Sequence, residues 1–222
     1  HGGHLPKIQP NLRLHPLMVT ARDTHLHFKH ITHRRIATSN RFPEQDKACR
    51  FCETADESST HLGECPRLTK MFDTLDSLAR HPSEPDKPRE QGIIDRLFMH
   101  PKGSCPKALA TLYMLAWRYI ITDFYRIQYD NATLSEESVL IRVLERFTKL
   151  SRALNFANST DTSRTAQAGM GRQPKKRIDL ADIRPLYEVG NNNSLTPSAE
   201  LVSLAEKLGI EHQIARETTR QS

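Results

Sequence analysis

Cys49, Cys52, His61 and Cys65 constrain this chain more than any other feature, because they form a Cys-x2-Cys-x8-His-x3-Cys pattern in one short stretch. Three thiolates and one imidazole suit a tetrahedral zinc ion, and the two closely spaced pairs allow one ion to be gripped from two turns. Four protein ligands leave no open position for water or substrate. A structural zinc is therefore expected in preference to a catalytic one.

Other uses of these residues fit less well. Four cysteines allow disulfides, but Cys49 and Cys52 sit too close for an ordinary stabilising bridge, and no apolar leader precedes a small-residue cleavage site. An intracellular location, nuclear or cytoplasmic, is the expectation. A redox Cys-x-x-Cys belongs at a strand-to-helix junction, whereas loop-like residues surround this one. A zinc deaminase needs His-x-Glu followed later by Pro-Cys-x-x-Cys. Here the Cys-x2-Cys comes first, Ala48 precedes it, and Glu64 lies three residues after His61. Cys105 could replace His61 as fourth ligand, but it lies forty residues beyond Cys65, and the compact loop has the smaller closure entropy. Cys105 is expected as a small buried apolar residue near a helix start.

The pattern around the ligands is helical. Pro66 follows Cys65, and Leu68, Met71, Phe72, Leu75 and Leu78 then recur at helical spacing. Proline favours the first helical position, so Cys65 is expected to cap a helix from Pro66 to Arg80. The positive end of that helix would favour the thiolate. Ala108 to Gln128 carries apolar residues on most sides and belongs in the middle of a bundle. Ser135, followed by Glu136 and Glu137, starts a further helix bearing Val139, Val143, Leu144, Phe147, Leu150 and Leu154. Weaker helical patterns cover Arg22 to Ala37 and Gln91 to His100. Ala108 to Ile121 is the most apolar run, yet it is too short to span a bilayer and is soon followed by Asp123.

Composition separates this helical part from its flanks. A hydrophobic content of 37% and a mean hydropathy of −0.60 are low for one compact globule, so part of the length is expected as solvated linker or tail. Residues 1–21, with Pro6, Pro10 and Pro16, read as an extended lead-in. A zinc-binding helical domain is expected over 22–154 and a flexible linker over 155–177, ending in the basic run from Arg172 to Arg177. A small helical tail follows over 178–222, with a helix from Thr196-Pro197 presenting Leu201, Leu204 and Leu208 but lacking an obvious partner. The first residue is His1 rather than Met, so a fragment, a processed product or an incomplete gene model is expected. The fold class is thus mainly α, with a zinc-stapled loop among amphipathic helices.

The run Cys49-Arg50-Phe51-Cys52, the acidic spacer, and His61-Leu62-Gly63-Glu64-Cys65-Pro66 resemble the zinc-binding domain found C-terminal to the polymerase in reverse transcriptases of non-LTR retroelements. His27 to Thr38 is similar to the aromatic, Arg-containing helix that precedes the first cysteine in that family. Leu115-Ala116-Trp117-Arg118-Tyr119 resembles its Trp-containing helix beyond the zinc loop. The likeness covers residues 25–80 and extends more loosely to 154. It implies Cys49, Cys52, His61 and Cys65 as zinc ligands in a retrotransposon-encoded protein that handles RNA and reverse-transcribed DNA. The retroviral nucleocapsid knuckle is a poorer match, because its spacing from the second Cys to the His is shorter. The chain departs from the whole enzyme: no Asp-Asp pair is present to hold catalytic metals, and no endonuclease or RNase H constellation occurs. By itself it is not expected to be an enzyme.

The net charge of +6 and a pI of about 9.3 favour a polyanionic partner, with RNA or DNA the first candidate. Charge is segregated: basic residues precede the first ligand pair, and Glu53, Asp56, Glu57 and Glu64 occupy the spacer. Lys29, Arg34, Arg35, Arg41 and Arg50 are the expected phosphate contacts. The alternative is a structural or protein-interaction zinc module without nucleic-acid affinity, whose acidic loop docks to a basic partner; the parent polymerase polypeptide or another protein is the further candidate partner.

Overall fold

In a computed structural model of the protein, the structure describes residues 48–49, 51–78, 107–130, 135–167, 183–190 and 194–215. The expected helices at 22–37 and 91–100, the lead-in, Cys105 and the basic run at 172–177 lie outside the described residues. The described residues are mostly helical. Four helices build the metal-bearing part: α1 (Ser59–Glu64), α2 (Pro66–Ser77), α3 (Lys107–Asp130) and α4 (Glu136–Gln167). The tail adds β1 (Tyr187–Val189), β2 (Leu195–Pro197), α5 (Ala199–Lys207) and α6 (Glu211–Ala215).

α2 follows the pattern read from its sequence. Cys65 stands at its N-cap with Pro66 at the first helical position, and Leu68, Met71, Phe72 and Leu75 are buried along one side. That side faces both α3 and α4. From Ala108 to Ile120, α3 is buried almost all round, through Leu109, Leu112, Tyr113, Leu115, Ala116 and Trp117, as expected of a bundle's central helix. Phe72 meets Tyr113 with ring centroids 5.5 Å apart and planes tilted by 43°, one of the favoured aromatic arrangements. α4 opens as read. The Ser138 amide donates to Ser135 Oγ at 3.0 Å, and Val139, Val143, Leu144, Phe147 and Leu154 are buried.

Two expectations are corrected. α4 continues to Gln167, so residues 155–167, read as the start of a linker, are helix. That stretch contains neither Gly nor Pro. Its Asn, Ser and Thr residues disfavour helix only weakly, and extending an established helix adds one bond per residue ordered. The tail helix starts at Ala199, not at Thr196-Pro197. Those two residues sit in β2, antiparallel to β1, with Tyr187 opposite Pro197, Glu188 opposite Thr196 and Val189 opposite Leu195. Ser198 Oγ accepts from the Leu201 amide at 3.2 Å and caps α5.

The tail also has a partner. Leu201, Ala205, Ile210 and Ile214 are buried, and Tyr187 stacks on Phe147 of α4 at 6.4 Å with its phenol 2.8 Å from Thr148 Oγ1. Arg152 Nη2 donates to the Gln213 and Ile214 carbonyls at 3.0 and 3.2 Å. The turn into α6 depends on Gly209, at φ 67°. There the Gly209 amide donates to the Glu206 carbonyl and the Ile210 amide to that of Ala205, a Schellman closure that requires the left-handed region. No described helix is long and apolar enough to cross a membrane.

Candidate metal centre

The loop before α1 is folded by its own backbone. The Cys49 amide donates to the Ala55 carbonyl and the Glu53 amide to the Cys49 carbonyl, both at 2.7 Å. Ala48 and Asp56 form an antiparallel bridge. This tight knuckle puts Glu53 at φ 58°, a left-handed conformation uncommon for a residue with a Cβ. Ser58 then caps α1, its Oγ accepting from the His61 amide at 3.0 Å. That cap orients the turn from which His61 projects. Cys65 lies between α1 and α2, so each ligand is set by a turn or a helix boundary.

The four predicted ligands converge. Donor atoms of Cys49, Cys52, His61 and Cys65 all lie within 4.8 Å of one another. Cys49 Sγ and Cys65 Sγ are 4.0 Å apart, and Cys52 Sγ is 3.2 Å from His61 Nε2. Zinc bonds of about 2.3 Å to sulphur and about 2.0–2.1 Å to nitrogen imply tetrahedral edges of roughly 3.8 Å between sulphurs and roughly 3.6 Å between sulphur and nitrogen. The observed separations straddle those edges, so the residues fit an ion of this kind. Cys49 and Cys65 are fully buried, while Cys52 and His61 are half-buried at the rim.

Protonation follows the same geometry. Cys49 is pushed well above the usual thiol range, chiefly by its hydrogen bond with Cys65, with burial adding to the effect. Cys65 is held below that range by the same hydrogen bond, helped by the Leu68 and Arg67 amides at the start of α2. Burial raises the Cys52 thiol, but the Thr54 hydroxyl and amide, together with His61, outweigh it and bring Cys52 below its ordinary value. The Thr54 hydroxyl donates to Cys52 Sγ at 3.1 Å. Burial disfavours the His61 cation, and the neighbouring Cys52 and Cys49 overcome that and raise its pKa. Sulphur and nitrogen atoms so close together must share protons or a cation, and metal binding displaces the protons.

Arg67, which the sequence reading did not single out, ties this loop to the helices. Its Nη1 donates to the Phe51 carbonyl at 2.7 Å and its Nε to Glu136 Oε1 at 2.6 Å. Phe51, from the middle of the Cys-x2-Cys turn, is itself buried in the core with Leu62. The spacer is less uniform than its composition: Glu53, Asp56 and Glu64 are exposed, but Glu57 is fully buried. α1 and its cap Ser58 lie in a stretch expected as loop; a serine ahead of the ligand histidine is the local signal for that cap, whereas Arg67 carries none. Lys29, Arg34, Arg35, Arg41 and Arg50 lie outside the described residues. No family model matches the chain, and comparison with curated proteins and with solved structures finds no match.

Proposed function

We propose that this chain is a structural-zinc module that binds nucleic acid, an accessory part of a retroelement-type reverse transcriptase rather than an enzyme itself. The reading is carried by the convergence of three cysteines and one histidine on one point, with two of the sulphurs fully buried. Thiolate-rich, four-ligand sets select zinc among the available divalent ions and leave it no open coordination position. Cys49, Cys52, His61 and Cys65 would hold the ion. Its binding energy, about 10–16 kcal/mol for structural sites of this type, would fold the loop together with the burial of Phe51 and Leu62. Reduced thiols suit the intracellular location expected of such a protein.

The nucleic-acid part rests on the net charge of +6, on the cationic segment carrying Lys29, Arg34, Arg35, Arg41 and Arg50, and on the resemblance of the Cys/His run. Phosphate contacts give affinity without sequence information and release counterions. Titration of the zinc-loaded chain with single-stranded RNA at several salt concentrations tests this. A log K that falls linearly with log salt is expected. A response independent of salt would remove nucleic acid from the account and leave a protein-interaction module, for which the exposed Glu53, Asp56 and Glu64 offer an acidic surface.

A further inference from the structure

The thiols of the metal centre do not meet solvent equally. Cys49 and Cys65 are fully buried, whereas Cys52 is half-buried. Glu53, Thr54, Ala55 and Asp56 follow Cys52 and are all exposed, and the Thr54 hydroxyl donates to Cys52 Sγ at 3.1 Å. The Cys52 sulphur thus marks where the cluster reaches the surface. Cys49 stands in the same turn, which the Glu53 amide closes on the Cys49 carbonyl at 2.7 Å. Residues three apart in such a turn have Cα atoms less than about 7 Å apart, close to the span of a disulfide. Their sulphurs belong to a set whose donor atoms all lie within 4.8 Å of one another. Cys65 belongs to a different element, the N-cap of α2.

We infer that Cys52 is a site of reversible oxidation by a peroxide and that Cys49 resolves it, which makes the metal loop a redox-sensitive switch. The inference rests on the zinc reading above and adds a regulation of that centre. The Cys52 thiolate attacks one peroxide oxygen, the O–O bond breaks and hydroxide leaves, giving a sulphenic acid. The Cys49 thiolate then attacks Cys52 Sγ, the S–S bond forms, the S–O bond breaks and a second hydroxide leaves. Two thiolates together give up two electrons, and one peroxide is reduced. Cys65 and His61 alone are too few to hold the ion, so the loop loses the metal that folds it. A small neutral peroxide suits the site better than an anionic oxidant, because the exposed acids Glu53 and Asp56 lie close to Cys52 in the chain. A bridge across so short a loop adds little stability and yields to thiol reductants.

Titration of the reduced, zinc-loaded full chain with hydrogen peroxide, with a chromogenic chelator reporting released zinc, tests the switch. One zinc released per disulfide formed is expected, and a thiol reductant should restore zinc binding. Dimedone should trap the sulphenic acid on Cys52, and tandem mass spectrometry should find Cys52 bridged to Cys49. Trypsin can cut at Arg50, between the two cysteines, so that this bridge joins two peptides. Cys52→His retains a four-ligand set of two cysteines and two histidines. It should lose zinc to peroxide at least about tenfold more slowly, because its remaining thiolates are buried. If Cys52→His does not hold zinc, dimedone trapping on the parent chain decides. Cys105→Ser should release zinc as the parent does. First labelling at Cys49 or Cys65 overturns the proposal, and a bridge from Cys52 to Cys65 overturns the role of Cys49. Zinc retained by the parent chain under peroxide refutes the switch and leaves the zinc reading standing. A reduced parent chain that binds no zinc refutes both.

Discussion

Replacing Arg67 by Gln should loosen the metal loop from the helices more than breaking its ion pair does. Arg67 makes two contacts: a charged donor to the buried Phe51 carbonyl at 2.7 Å, and a pair with Glu136 at 2.6 Å. The guanidinium is 52% exposed and the carboxylate 24%, so solvent screening holds the pair to about 0.2–1 kcal/mol. A hydrogen bond from a charged group is worth about 1.5–3 kcal/mol when sheltered, and the same exposure argues for the low end. Arg67→Gln should therefore destabilise by about 1.5–2.5 kcal/mol. Glu136→Gln keeps the Phe51 contact and loses only the pair and a favourable charge at the α4 N-terminus, about 0.5–2 kcal/mol in total. Urea unfolding of the zinc-loaded protein, followed by far-UV circular dichroism, measures both, and transfer of zinc to a chelator reports on the loop directly. Arg67→Gln should also release metal faster, because the Phe51 carbonyl lies inside the Cys-x2-Cys turn. Equal costs for the two substitutions, with unchanged metal release, would show that the Phe51 contact holds nothing in place.

Other consequences follow from the same contacts. Phe72 is fully buried between α2 and α3, and Phe72→Ala should cost about 3–5 kcal/mol by chemical denaturation. Glu53 sits at φ 58°, so Glu53→Val should destabilise by about 1–2 kcal/mol while Glu53→Asn is tolerated. A harmless valine would mean that the knuckle adopts another backbone. Burial pushes the Tyr187 phenol above its ordinary 10.0, against the opposing pull of the Thr148 hydrogen bond and Arg152. A raised folded-state value means that this stability is complete below pH about 10 and is lost as pH rises through the folded pKa. Alkaline destabilisation of the tail should thus diminish in Tyr187→Phe, and an unaltered alkaline limb would contradict the buried phenol. Cys49→Ser, Cys65→Ser or His61→Ala should expose residues 48–78 to protease while α3 and α4 keep most of their helical signal.

The parts legible in the sequence are those written in local chemistry. Leu68, Met71, Phe72 and Leu75 follow the helical period, Cys65-Pro66 marks a cap, and Ser135 with two glutamates marks another. Each needs only its near neighbours. Cys49, Cys52, His61 and Cys65 were legible as a set because metal-binding residues cluster in spacing as well as in space. The continuation of α4 through residues 155–167 was not legible, since its Asn, Ser and Thr residues resemble a linker in composition although none of them breaks a helix. The hairpin formed by β1 and β2 has strands of three residues, too short for an alternating pattern to stand out. Arg67 is a different case, because its partners lie 16 and 69 residues away. Nothing in the sequence near Arg67 announces either, and the burial of Glu57 inside an acidic spacer likewise depends on the folded loop.

Metal content of the intact chain, purified under reducing conditions and measured by inductively coupled plasma emission, bears most directly on the central claim. One zinc per chain is expected, displaced by acid or chelator with loss of protease resistance over residues 48–78. Metal-free protein whose loop resists protease equally well with and without a chelator would contradict it.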